Sequence, residues 1–225
     1  MSTLPPEVRE LALRLGAKET DPPVMARFTQ EGRMRQDAGA RWMPFRATQT
    51  TLVHATEFAW HAAMGPRGSV RVRDTLQSGV GRLSARLFGL IPLASASGSQ
   101  ATRGQAMRYL AELAWCPDAV FHNFDLEWEV IAPDHLRVSA PHGSPAAAVH
   151  LHLDREGRIA AISAPDRPRS VGKAFIATPW WGRFSQFQQI DGYSIPMAGE
   201  VGWTIDGTAV TVWEGRVTDW QAVAW

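Results

Sequence analysis

Hydrophobic and polar positions along this chain keep two different periods. Near the N-terminus Val8, Leu11, Ala12 and Leu15 recur at three- and four-residue spacing behind Pro5-Pro6. The run stops at Gly16, before Asp21-Pro22-Pro23, and predicts a short helix. From Phe28 the period becomes two: Phe28, Gln30, Gly32, Met34 and Gln36 share one face, and Thr29, Glu31, Arg33 and Arg35 the other. Comparable segments at about 41–53, 57–64, 69–77 and 80–89 predict an antiparallel meander, with breaks at Asp37-Ala38-Gly39 and Gly65-Pro66-Arg67-Gly68. The alternation then stops. Ser97-x-x-Gln100 has the form of a capping box. Ala106, Met107, Leu110, Leu113 and Ala114 mark one face of a helix over about 99–115 that must end before Pro117.

Strand-like segments resume at about 124–132, 135–140, 146–153, 158–164, 180–190, 195–204 and 209–222. An open sheet of that size normally curls or splits. The expected fold class is therefore α+β, mostly β: a strongly curved antiparallel half-barrel of about 11–12 strands wrapped around one central helix, with a short N-terminal helix. Residues 1–23 are read as the N-terminal helical segment and 24–225 as a single domain, since no repeat or linker divides them.

Composition narrows the function. With 225 residues, 45% of them hydrophobic, the chain is long enough to remove roughly 70% of its unfolded surface from water. Lys plus Arg (23) nearly balances Asp plus Glu (22), which leaves no strong overall field to hold nucleic acid or an anionic membrane, and no nucleic-acid partner is expected. The single cysteine, Cys116, excludes an internal disulfide and a Cys-based zinc site. Glu7 and Glu10 interrupt the N-terminal apolar positions, and no stretch approaches ~20 apolar residues. No signal peptide or transmembrane segment is expected, and the expected location is cytoplasmic. Ten tryptophans against two tyrosines are the compositional oddity; indole rings fill a core or line a broad apolar cavity.

Three blocks carry a resemblance. They are Arg108-Tyr109-Leu110-Ala111-Glu112-Leu113-Ala114-Trp115-Cys116-Pro117, Thr178-Pro179-Trp180-Trp181-Gly182-Arg183-Phe184, and Ile195-Pro196-Met197-Ala198-Gly199-Glu200-Val201-Gly202-Trp203. With Phe58-Ala59-Trp60, Asp74 and Gly79-x-Gly81, they make the chain from about Phe28 onward similar to a bacterial family known as domain of unknown function 6544, also met as 6920. The resemblance implies a fold like the curved half-barrel of lipoprotein-carrier proteins, which hold acyl chains. Many members of the family carry an N-terminal membrane segment, whereas this sequence starts almost directly at the domain.

The candidate chemistry sits on the central helix and on the tryptophan-bearing strands. Arg108 and Glu112, four apart, leave the helix on one side, either as a structural ion pair or with Glu112 as a general acid or base, its pKa raised by neighbours such as Trp115. In the second case Asp74 and Tyr109 are its helpers, because two carboxylates in one apolar pocket divide into acid and base roles. Trp180 and Trp181 point to opposite faces of a strand, and Arg183 shares a face with Trp181, as a stacking cation or as an anion holder. His150 and His152 share a strand face; zinc would need a third ligand from His122, His135 or His142, and alternation alone explains the pair as a solvent face. No G-x-S-x-G, P-loop or H-E-x-x-H motif is present, and Gly79-Val80-Gly81 lacks the context of a dinucleotide fingerprint.

The leading expectation is a binding protein for an apolar or amphipathic small molecule, acyl chain or other lipid-like ligand, with Trp60, Arg108, Trp115, Trp180, Trp181, Arg183 and Trp203 as ligand-binding residues. No cofactor and no metal enter this reading. The alternative is a cofactor-independent isomerase, cyclase or hydrolase acting on an apolar metabolite through Glu112, Asp74 and Tyr109. A third reading, an interaction module working through a sheet edge, predicts a mass that changes with concentration.

Overall fold

The computed structural model describes residues 4–172 and 174–224. Residues 1–3 of the expected N-terminal segment and residue 225 at the end of the expected domain lie outside the described residues. One 13-stranded sheet forms the body. Its first half comprises β1 (Met25–Met34), β2 (Met43–Leu52), β3 (Phe58–Met64), β4 (Val70–Gln77), β5 (Val80–Leu87) and β6 (Ile91–Ala96). Its second half comprises β7 (Glu127–Ala132), β8 (His135–Ala140), β9 (Ala147–Leu153), β10 (Ile159–Val171), β11 (Ala174–Ile190), β12 (Tyr193–Ile205) and β13 (Thr208–Val223).

The spatial order is β6-β5-β4-β3-β2-β1-β13-β12-β11-β10-β9-β8-β7, with antiparallel neighbours throughout. β6 and β7 are thus the two opposite edges, although they are consecutive strands. The connection between them is α2 (Ser99–Ala111), a 3-10 turn at Glu112–Trp115 and α3 (Ala119–His122). A connection between opposite edges must cross one face of the sheet, and the sheet curls around it. The result is a mostly β, strongly curved half-barrel with one central helix. α1 (Pro6–Arg14), whose Val8, Leu11 and Ala12 are buried, packs against α3 and the edge strand β7.

Thirteen strands are present where periodicity predicts about 11–12. The additional strand is β6, which Pro92 and a turn at Phe88-Gly89 disguise, since Asn or Asp is the usual residue before Gly in such a turn. The β10–β11 hairpin is also far longer than predicted, because Pro165, Pro168 and Pro179 break the alternation. A register shift between Ala164 and Arg167 absorbs the local irregularity there.

The expected capping box does not form. Gly98 caps α2 with φ 94° and no side-chain hydrogen bond. The start of the helix is instead held by the sheet: Gly81 N–H donates to Thr102 Oγ1 at 2.9 Å, and a Cβ on Gly81 would lie 2.5 Å from Thr102 Cα. The predicted apolar positions Ala106, Met107, Leu110, Leu113 and Ala114 are fully buried, but burial is not confined to that face. Thr102, Arg103, Gln105 and Tyr109 are buried as well, because the curled sheet encloses the helix. Trp115 fastens the far end. Its Nε1 donates to Pro196 O at 2.8 Å, and its carbonyl accepts from Trp220 Nε1 at 2.9 Å.

Candidate functional site

Where α2 faces β2, β4 and the opposite wall of the sheet, a charged network closes one side of an apolar cavity. Arg108 stands at its centre. Its Nη1 donates to Asp74 Oδ2 at 2.7 Å, its Nε to Glu112 Oε1 at 2.8 Å and its Nη2 to Gln49 Oε1 at 2.9 Å. Gln49 Nε2 donates to the second oxygen of Glu112, and Gln105 Nε2 to the second oxygen of Asp74. Each oxygen of the two carboxylates therefore accepts a hydrogen bond from a donor on β2 or α2. The guanidinium also lies over the rings of Phe58 (4.9 Å) and Trp60 (5.2 Å), so it is held by cation–π contact as well as by charge.

Burial dominates the electrostatics here. It raises the Asp74 carboxyl above the usual carboxylate range, against the lowering pull of Arg108 and Arg167. For Arg108 burial acts to lower the pKa, but Glu112 and Asp74 together outweigh it, and the net direction is up. The i,i+4 pair of the helix is thus a three-body ion network, and the sheet supplies the second carboxylate from β4.

The cavity has a volume of about 190 Å³. Trp60, Trp115, Trp180, Phe184 and Trp213 form its aromatic walls, and Asp74, Arg108, Glu112 and Arg167 bring its charges. Two larger hollows, of about 990 and 760 Å³, lie over β1–β4 and the adjoining β12 and β13 among arginines and glutamates, and are open to solvent. The aromatic, more enclosed cavity is the candidate site.

The sequence-predicted residues divide around it. Trp60, Asp74, Arg108, Glu112, Trp115 and Trp180 line the cavity together. Trp203 is Trp180's partner across the β11–β12 register and sits beneath Arg167 rather than in the lining. Tyr109 lies outside the cavity lining; its hydroxyl donates to Leu52 O at 3.0 Å and accepts from Asn123 Nδ2 at 2.9 Å. Burial pushes that phenol well above its ordinary pKa. Trp181 and Arg183 occupy the outer face of β11. The Trp181 ring covers Gly202, where a Cβ would come within 2.3 Å of it. Arg183, with a side chain 70% exposed, pairs with Glu200 at 3.1 Å and stacks on Trp181.

Periodicity does not single out Arg167, because it lies in the proline-rich stretch of β10. Its guanidinium stacks on Trp180 (4.2 Å) and Trp203 (5.4 Å) and hydrogen-bonds only the Gly104 carbonyl, at 3.2–3.3 Å. No ion pair involves it among the described residues. Burial lowers its pKa to about 10, so it stays charged at neutral pH. Beside it Trp180 Nε1 is buried with no hydrogen-bond partner.

Elsewhere, His135 joins His150 and His152 on the outer face of β8 and β9. His135 Nε2 and His150 Nδ1 are 2.9 Å apart, and the His135 and His152 rings stack at 4.6 Å. His152 Nε2 pairs with Ser163 Oγ at 2.9 Å. These rings bond and stack on one another instead of converging, and among the described residues no group of three is arranged to hold a metal ion. Cys116 is buried, and burial pushes its thiol up to about 12, which makes it a poor nucleophile. No helix among the described residues is long and apolar enough to cross a membrane.

The fold is shared with known structures at low sequence identity. A LolA superfamily protein from Nitrosomonas europaea is similar over 97% of this chain and 94% of its own, with 10% identity and a TM-score of 0.50. A DUF1329 family protein from Desulfovibrio piger is similar over 96% of this chain and 91% of its own, with 11% identity and a TM-score of 0.53. Both likenesses speak to the half-barrel alone. No curated protein matches the chain. The model of the Family of unknown function (DUF6544) matches residues 1–215, and with the Arg108 network and the tryptophan-bearing strands inside that span, the chain belongs to this family.

Proposed function

We propose that the half-barrel binds an apolar or amphipathic small molecule, or the end of an acyl chain, in the cavity between α2 and the inner face of the sheet. The observation that carries this reading is an aromatic cavity holding Trp180 Nε1, a donor with no hydrogen-bond partner, beside the Arg167 guanidinium, which bonds the Gly104 carbonyl and forms no ion pair among the described residues. A ligand with an apolar body and one acceptor-bearing end satisfies both. Size limits the occupant: about 190 Å³ is below the ~300–1,000 Å³ of drug-sized sites. A whole diacyl lipid does not fit, whereas a short chain or a compact metabolite does. The LolA superfamily likeness agrees with such a carrier-type fold. Cytoplasmic residence is part of the same proposal, and cell fractionation checks it.

Native mass spectrometry followed by denaturing extraction tests the binding. The expected result is a stoichiometric small-molecule adduct that Val201→Phe, filling the cavity from β12, displaces without unfolding the protein. Arg167→Met keeps the apolar occupancy but weakens ligands that carry an acceptor. A clean apo mass, with no apolar probe displaced by Val201→Phe, overturns the reading.

Cofactor-independent catalysis by Glu112 with Asp74 is the second reading, and the observation favouring it is the raised carboxyl of Asp74 at the cavity wall. Both carboxylates are engaged by Arg108, which weighs toward a structural role. Turnover abolished by Glu112→Gln at unchanged ligand affinity would favour the enzyme.

A further inference from the structure

Four hairpins of this sheet turn through a two-residue X-Gly corner with both residues at positive φ: Ser78-Gly79 (49°, 73°), Phe88-Gly89 (51°, 74°), Asp191-Gly192 (49°, 88°) and Asp206-Gly207 (49°, 76°). Three of them use a small polar residue in the first position. The fourth uses phenylalanine, a bulky side chain for which left-handed backbone is a strained choice. Phe88 is 70% exposed and Leu90, just past the turn, is 79% exposed; Ile91 follows at 57%. Nothing in the core requires these side chains. An unfavourable backbone position has been given to an aromatic ring that projects into solvent.

The charges around this tip are segregated. Between residues 58 and 98 the chain carries Arg67, Arg71, Arg73, Arg82 and Arg86 and a single acid, Asp74, which is buried inward on Arg108. Arg71 and Arg86 are directly opposite one another across β4–β5, an arrangement that like charges disfavour. None of these five arginines forms an ion pair with a carboxylate among the described residues. The β3–β4 turn that bears Arg67 adjoins the tip, since Phe88 N–H donates to Ser69 O at 2.7 Å. The overall charge of +1 therefore conceals a locally cationic outer face beside an apolar point.

We propose that the β5–β6 hairpin docks the protein on an anionic lipid surface, with Phe88 and Leu90 entering the interfacial region and Arg67, Arg71 and Arg86 meeting the lipid headgroups. A protruding apolar tip flanked by free cations matches a bilayer in both shape and charge. Pairing with a second copy through the β6 edge matches less well, because Pro92 and the register shift beside Arg86 blunt that edge. The proposal stands independently of what occupies the cavity.

Co-sedimentation of the whole protein with phosphatidylcholine vesicles, with and without phosphatidylglycerol, tests it. Binding is expected only to the phosphatidylglycerol vesicles, and it is expected to weaken as salt is raised. Phe88→Asn is the informative variant. Asn suits the left-handed corner, so the melting temperature holds or rises, while partition onto the vesicles falls roughly tenfold. Arg71→Glu with Arg86→Glu abolishes binding to the phosphatidylglycerol vesicles. Wild-type protein that ignores anionic vesicles, or Phe88→Asn that binds them undiminished, overturns the proposal. So does a concentration-dependent dimer that Phe88→Asn dissolves while vesicles are ignored, which would make the hairpin a self-association site.

Discussion

Replacing Arg108 by Met removes the centre of the ion network while keeping a side chain of comparable length between Phe58 and Trp60. What remains is Asp74 and Glu112, with side chains only 9% and 12% exposed, deprived of the donors at 2.7 and 2.8 Å. Breaking a buried charge pair from one side costs about 3–5 kcal/mol, because the surviving charge stays desolvated. At ~2–4 °C per kcal/mol for a chain of this size, the melting temperature should fall by about 6–20 °C. The deficit has a pH signature. The Asp74 carboxyl is already raised by burial, and loss of Arg108 raises it further. A carboxyl raised in the folded state gives its full stability below its unfolded pKa and loses it as pH rises through the folded value. The variant's penalty is therefore largest near neutral pH and shrinks on acidification. Thermal melts of wild type and variant from pH 8 down to 5, read by circular dichroism, measure it. Adding Asp74→Asn and Glu112→Gln to Arg108→Met should recover much of the loss, since uncharged partners need no counter-ion. A penalty under ~2 °C at neutral pH, or one that does not change with pH, would refute the assignment of this cost to stranded charge.

Two other outcomes follow from the geometry. Gly81→Ala forces a methyl to within 2.5 Å of Thr102 Cα at the start of α2, an overpacking worth about 1–3 kcal/mol, and a denaturant titration should show the lower midpoint. Burial, followed by the neighbouring His135, lowers the pKa of His150 and His152, so the stability they contribute is complete above the ordinary histidine pKa and is lost as pH falls below it. His150→Gln with His152→Gln should flatten the melting profile between about pH 6.5 and 5, and an unchanged profile would show that the cluster is not the cause.

The order of elements follows from local physics and was open to reading in the chain itself. Period-two alternation marks most strands, three- and four-residue spacing marks α1 and α2, and Pro117 lies just beyond the central helical segment, whose last turn over Glu112–Trp115 is 3-10. Parity along β11 also separates Trp180 from Trp181, since successive side chains in a strand must point to opposite faces. Local pattern fails where a residue acts against its own preference. Phe88 in a left-handed corner hides the β5–β6 hairpin, and Pro165, Pro168 and Pro179 hide the middle of the longest hairpin, and with it Arg167.

The site itself depended on long-range pairing. Asp74 and Arg108 lie 34 residues apart, and they meet because the link between the two sheet edges must cross the inner face, which sets α2 against β4. The direction of curl, which no single strand encodes, put Trp180 inside and Arg183 outside. Sequence determined which segments would be strand and helix, because that depends on neighbours within a few residues. Only the closed path of the chain decided which charges would share an apolar cavity, because burial and pairing are properties of residues brought together from across the fold.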